Sequence, residues 1–163
     1  MMKSNYALLI LSVFFSGFGI SCGHSPTQAV KEEVKPPQVY TLPYPAISTE
    51  EINKLFSIAE KVDMIFYDLP MSVNQEDAKS AKNTVLYISP APAVATSQCK
   101  ALGRLSWISK GAIVKEADIY CRPGCQYFIF MENNKPVAAN AMGESGVEFF
   151  NQIISQAAQQ QPK

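Results

Sequence analysis

The segment Tyr127-Phe128-Ile129-Phe130-Met131 constrains this chain more than any other. A strand on a sheet with one wet face alternates apolar and polar residues. Five apolar positions in succession cannot do so. The segment therefore reads as a central strand covered on both faces. Helices can cover one face. The other must meet the N-terminal tether, the loop at 90–100, or a partner.

The flanking sequence reads as an antiparallel meander. Leu102–Ser109 is a strand turned by Lys110-Gly111, and Ala112–Cys121 is the next. Arg122-Pro123-Gly124 turns the chain again, with Pro fixing φ and Gly supplying a positive φ. Cys125–Glu132 follows, and Asn133-Asn134-Lys135 makes another tight turn, because Asn tolerates left-handed φ. Pro136–Met142 closes the meander, with proline at its first residue, where a missing donor is tolerated. Upstream, Met64–Tyr67 is a short strand bounded by Asp63 and Asp68. Val85–Ile88 reads as another, closed by Ser89-Pro90, and 91–98 reads as a loop.

Two helices carry start signals. Ser48 and Glu51 form a capping box, with Ile47 and Ile52 in the positions of a hydrophobic staple. Ile52, Leu55, Phe56, Ala59 and Val62 then recur at helical spacing, which predicts a helix over 49–61. Ser145 and Glu148 form a second capping box, and Phe149, Phe150, Ile153, Ile154 and Ala157 give the stripe of a helix over 145–158. A polar segment, Gln75–Lys82, predicts a short surface helix. The fold class is α+β: an antiparallel sheet of about five to six strands packed by two capped helices.

The N-terminus carries a different signal. Lys3 precedes an apolar run from Ala7 to Ile20 that ends at Ser21-Cys22. A bilayer-spanning helix needs about 20 apolar residues, and this run is shorter and interrupted by Ser and Gly. A short apolar core followed by small residues marks a cleaved signal peptide. Ile20-Ser21-Cys22 resembles the lipobox of bacterial lipoproteins; Gly19 departs from it, standing where that family usually has Leu, Val or Ile. The resemblance implies cleavage before Cys22, acylation of that cysteine, and a cell-envelope location. Gly23, a non-Asp residue after the cysteine, resembles outer-membrane sorting in Gram-negative bacteria, facing the periplasm or the cell surface. The expected organisation is a signal peptide at 1–21, a lipid-attached Pro-rich tether at 22–46, and one globular domain at 47–163. The tether holds Pro26, Pro36, Pro37, Pro43 and Pro45 and too little apolar surface to offset the entropy of ordering it. Within it, Val39–Leu42 can dock on the domain as an edge strand.

Composition narrows the chemistry. Lys+Arg and Asp+Glu number 14 each, and the two arginines are Arg104 and Arg122. That balance gives no electrostatic footprint for nucleic acid. Membrane contact is expected from the N-terminal lipid alone. The single histidine, His24, lies in the tether, so the domain cannot build a Ser-His-Asp or Cys-His arrangement or a histidine-based zinc site. No phosphate-binding glycine loop is present. No cofactor, metal site or catalytic residue is assigned. Glu116 and Asp118 share a strand face with Val114 and Tyr120 and could in principle act as a carboxylate pair; a solvated sheet face flanked by Lys110 and Lys115 is the simpler reading. Trp107 reads as core.

Three cysteines remain besides Cys22: Cys99, Cys121 and Cys125. An exported chain permits disulfides. A three-residue turn at 122–124 places Cys121 and Cys125 nearly opposite each other, near the short end of disulfide geometry, so a Cys121–Cys125 bridge is expected. A bridge from Cys99 to either partner is the second choice. The same pair could exchange thiols or hold copper(I), a soft ion that selects thiolates. C-x3-C spacing resembles the copper chaperones related to thioredoxin, but those place it between a strand and a helix with a histidine downstream. The sequence thus supports a lipid-anchored, non-catalytic envelope module that binds a protein or polymer. The alternative is a thiol-redox or copper(I) module on Cys121 and Cys125.

Overall fold

In the computed structural model, residues 41–160 are described; the expected signal peptide, Cys22 and most of the expected tether lie outside them. In chain order the elements are β1 (Thr41–Leu42), α1 (Thr49–Ile58), β2 (Lys61–Phe66), β3 (Ser72–Gln75), α2 (Ala78–Val85), β4 (Ile88–Pro92), β5 (Ala95–Thr96), β6 (Gly103–Ser109), β7 (Ala112–Arg122), β8 (Cys125–Glu132), β9 (Lys135–Met142) and α3 (Glu144–Gln160). The fold is α+β. Seven antiparallel strands form one sheet in the order β3-β2-β6-β7-β8-β9-β4, and β1 pairs with β5 separately. The meander β6–β9 forms as its turn residues dictate. Lys110 (φ 50°) and Gly111 (φ 78°), and Asn133 (φ 50°) and Asn134 (φ 60°), make two-residue hairpin loops. Positive φ at both central residues matches the strand twist.

The helices lie on one sheet face. There Val62, Met64, Leu105, Trp107, Ile119, Phe128 and Phe130 join Leu55, Val85 and Phe150 in the main core. Trp107 is fully buried, and its indole N–H donates to Thr84 Oγ1 at 2.8 Å. Gly103 sits where β6 meets β2; a Cβ there would collide with the Ile65 carbonyl oxygen. The capping box of Ser48 and Glu51 forms as expected.

Three helical expectations change. The helix α1 ends at Ile58 rather than 61, so Val62 belongs to β2 and not to the helical stripe. Val85 ends α2 rather than starting a strand; Asp77 is the N-cap, and Ala81, Thr84 and Val85 form its buried stripe. The helix α3 starts at Glu144, and the Gly143 carbonyl accepts from the Gly146 and Val147 amides. Ser145 is thus inside the helix rather than its cap. Two strands lie beyond the sequence expectation: β3, which brings the main sheet to seven strands rather than five or six, and β5, which pairs with β1 outside it.

Along β8, Phe128 and Phe130 enter the helix-side core, while Tyr127 and Ile129 form a second buried cluster with Ala95 and Ala139. Its cover is internal. The segment 41–45, placed in the tether by sequence, and the segment 93–99 lie over it as a strap. Thr41 and Leu42 pair with Thr96 and Ala95, so the docking expected of Val39–Leu42 occurs at its described end. The buried Asn140 holds the chain where it rounds the sheet edge. Its Oδ1 accepts from Ile47 N at 2.8 Å, and its Nδ2 donates to Ser89 O at 3.0 Å and Ile47 O at 3.4 Å.

The cysteine pairing corrects the sequence expectation. The disulfide joins Cys99 and Cys125, with Cα atoms 5.8 Å apart, and Cys121 is free and buried. The cause is a one-residue difference in register. The β7–β8 loop is Pro123-Gly124, so Arg122 pairs with Cys125 and Cys121 with Gln126. Shifting register by one residue moves a side chain to the other face. Cys121 therefore points at the helices, near Val147 and Asn151 of α3, and Cys125 points at the strap. A non-reducing peptide map of the oxidised protein should yield one linked pair, Cys99 with Cys125. Recovery of a Cys121–Cys125 peptide would refute this register.

Candidate functional site

The cross-strand register arranges the helix-free face in rows. One row runs Ser72, Ile65, Arg104, Asp118, Ile129, Ala139; the next runs Asn74, Asp63, Ser106, Glu116, Met131. The strap covers the β8–β9 end of these rows. The end formed by β2, β6 and β7 has no layer above it among the described residues: Ile65 is 60% exposed and Tyr67 52%.

On this open half the polar groups are held rather than loose. Arg104 Nε donates to Asp118 Oδ1 at 2.8 Å, and the Tyr67 hydroxyl donates to the same oxygen at 3.0 Å. An Arg104 Nη donates to Asn134 Oδ1 at 3.3 Å. Charge-assisted hydrogen bonds of this kind are about twice as strong as neutral ones. The hydrogen bond from Asp118 raises the Arg104 pKa. Beside them Ser106 Oγ donates to Glu116 Oε1 at 3.1 Å. Asp118 is thus committed to Arg104 and Tyr67, and Glu116 to Ser106. The two carboxylates share a face, as the sequence suggested, but each is bound to its own partner.

Next to this cluster Tyr120 stacks on Tyr127 with ring centroids 4.6 Å apart. Burial first, then the charge of Asp118, pushes the Tyr120 pKa up to about 12. Burial also raises Tyr127, and burial with the Asp118 charge raises Tyr67. A phenol whose pKa is raised on folding favours the fold while neutral. That contribution is complete below the unfolded value near 10 and is lost as pH rises through the folded value. The melting temperature should therefore fall between pH 10 and about 12, with phenolate absorbance developing in the same window. Ionisation of all tyrosines near pH 10 with no loss of melting temperature would contradict these contacts.

Two surface hollows are small. One of about 140 Å³ lies between α1 and β7, against Ile47, Leu55, Val114 and Lys115. Another of about 160 Å³ is bounded by Ile113, Glu116, Met131 and Glu132. Pockets that enclose a drug-sized ligand run to roughly 300–1,000 Å³. Lys115 stands between the two hollows, 3.3 Å from Glu132 and 3.9 Å from Glu51, with its ammonium 5.8 Å from the Phe130 ring centre. It braces α1 against the sheet.

The two thiols singled out by sequence are not brought together. Cys125 is bonded to Cys99, and Cys121 faces the other side of the sheet, its thiol pKa raised by burial. A raised pKa lowers the thiolate fraction that nucleophilic or metal-binding chemistry requires. Among the described residues no three His, Cys, Asp or Glu side chains gather so as to hold a metal ion. No described helix is long and apolar enough to cross a membrane. The Tyr67–Arg104–Asp118 cluster was invisible in sequence, since its members are separated by 51 and 14 positions; only alternation along β7 hinted at the face. No protein-family model, curated protein or solved structure matches the chain.

Proposed function

We propose that this protein is a lipid-anchored envelope module that binds a protein or polymer through the open half of its sheet and performs no chemistry of its own. The observation carrying the reading is the preorganised cluster of Tyr67, Arg104 and Asp118, flanked by the exposed Ile65 and not sunk in a pocket. Tyr and Arg are enriched at binding hot spots, and side chains already fixed in place lose little entropy on binding. Anchoring through an acylated Cys22 would hold this face in the envelope, at the outer membrane.

The reading has two separable tests. Cys22→Ser should release the protein from membranes or leave its signal uncleaved; unchanged fractionation with normal processing would end the anchoring claim. For the face, a photo-crosslinking residue at position 65 should give discrete adducts in envelope-bearing cells. The same residue at position 86, equally exposed at 60% but at the end of α2, should not. Arg104→Ala should remove the adducts from position 65. Equal labelling from both positions would count against the sheet face as the binding surface.

A further inference from the structure

The strap's two segments pair with each other and hydrogen-bond to β8 and β9. Its ladder is two residues long, Thr41 with Thr96 and Leu42 with Ala95. Ala93 N donates to Ala139 O at 3.2 Å, Pro45 O accepts from Ala139 N at 2.7 Å, and Thr96 N donates to the Tyr127 hydroxyl at 3.4 Å. Under it lies an apolar surface as dry as the main core: Tyr127 is 3% exposed, Ile129 4% and Ala139 0%. The strong link is covalent. The Cys99–Cys125 disulfide pins the far end of segment 93–99 to the β7–β8 hairpin. Neither cysteine is fully buried, so a thiolate can reach the bond.

We infer that Cys99–Cys125 is a redox latch: oxidised, it holds the strap over Tyr127 and Ile129, and reduction by a dithiol frees the strap and uncovers that aromatic surface. A thiolate of the dithiol attacks one sulfur, a mixed disulfide forms as the Cys99–Cys125 bond breaks, and the departing thiolate takes a proton. The second thiol of the reductant then resolves the mixed disulfide. Two protein thiols and one cyclic disulfide in the reductant result, so two electrons and two protons pass to the protein. Thr96 Oγ1 lies 3.2 Å from Cys99 Sγ. A disulfide sulfur carries no hydrogen, so the hydroxyl donates and favours Cys99 as the leaving thiolate. The other layer does not depend on this bond: α1, α2 and α3 pack on the opposite face, and local opening can proceed below the free energy of global unfolding.

As a switch of binding, the latch rests on the sheet-face reading above, because Ile129 continues the row of Arg104 and Asp118, and Tyr127 stacks on Tyr120 beside it. As a switch of the strap it stands alone, and the test reads the strap. The exported full-length protein, purified oxidised, is compared by amide hydrogen exchange before and after treatment with dithiothreitol. The expected result is an increase of at least about tenfold at 41–45 and 93–99, with β2, β6, β7 and α1 unchanged. A Cys99→Ala/Cys125→Ala variant should reproduce the pattern without reductant. An unchanged strap after reduction makes the bond a passive staple and overturns the latch. So does faster exchange throughout the domain, which means the strap does not open separately. Failure of dithiothreitol to reduce the bond in the folded protein also overturns it. Crosslinking from position 65 is unaffected by any of these results, so the latch and the sheet-face reading fail separately.

Discussion

Trp107→Ala should destabilise the domain by about 3–5 kcal/mol, the range for deleting a buried large aromatic side chain. The indole is fully buried at the centre of the sheet, stacked with Phe130 at 6.4 Å between centroids. Its removal leaves a cavity that the paired strands β2 and β7 on either side cannot close by moving. It also strips Thr84 Oγ1 of the donor it accepts from, although the hydroxyl still donates to Ala81 O. Small domains carry only about 5–15 kcal/mol in total, so this substitution should take a large fraction of the stability. Trp107→Phe keeps most of the volume and should cost clearly less. Urea unfolding followed by circular dichroism measures both; a loss under about 1 kcal/mol for the alanine variant would contradict the packing.

Asn140→Leu should be the second most damaging change, at about 3 kcal/mol or more. The volume is nearly kept, so the cost comes from polarity. Ile47 loses a partner for its N–H and one for its carbonyl, and Ser89 loses one for its carbonyl. Each buried orphan costs about 1–3 kcal/mol, whereas the bond itself contributed about 1. The damage should be local as well as global, because Ile47 stands immediately before the Ser48 cap of α1. Amide exchange at Ile47 should quicken even where the variant remains folded. Equal stability of the leucine variant and the parent would show that the three bonds are replaceable by packing.

These residues illustrate what could be read in advance. The meander was legible because its turns have stereochemical reasons: Lys-Gly, Pro-Gly and Asn-Asn each supply positive φ between apolar runs. The double-sided burial of β8 was legible because five apolar residues in a row leave no wet face. Val85-Leu86-Tyr87-Ile88 misled, because a four-residue apolar run can be a strand or the end of a helix, and periodicity alone cannot arbitrate. The Ser145–Glu148 box misled because Gly143 already starts the helix with its carbonyl. The cysteine pairing turned on a single residue of loop length, three against two, and nothing local distinguished them. Cys99 reaches Cys125 across 26 positions, a tertiary fact. The Tyr67–Arg104–Asp118 cluster depends likewise on the order of strands β2, β6 and β7, which sequence pattern left open.

The route of the chain past Asn140 has a mechanical consequence. A pull on the chain upstream of Thr41 is met first by the two-residue ladder with β5, which the Cys99–Cys125 bond fixes to the sheet while it is oxidised. If that ladder peels away, the load moves on to the Pro45–Ala139 bond and then to Ile47, gripped by Asn140 through both its N–H and its carbonyl. The helix α1 and the main core lie beyond that grip. Tension from the N-terminal side is therefore borne in sequence by a releasable clip and a buried amide, and the folded body is loaded last.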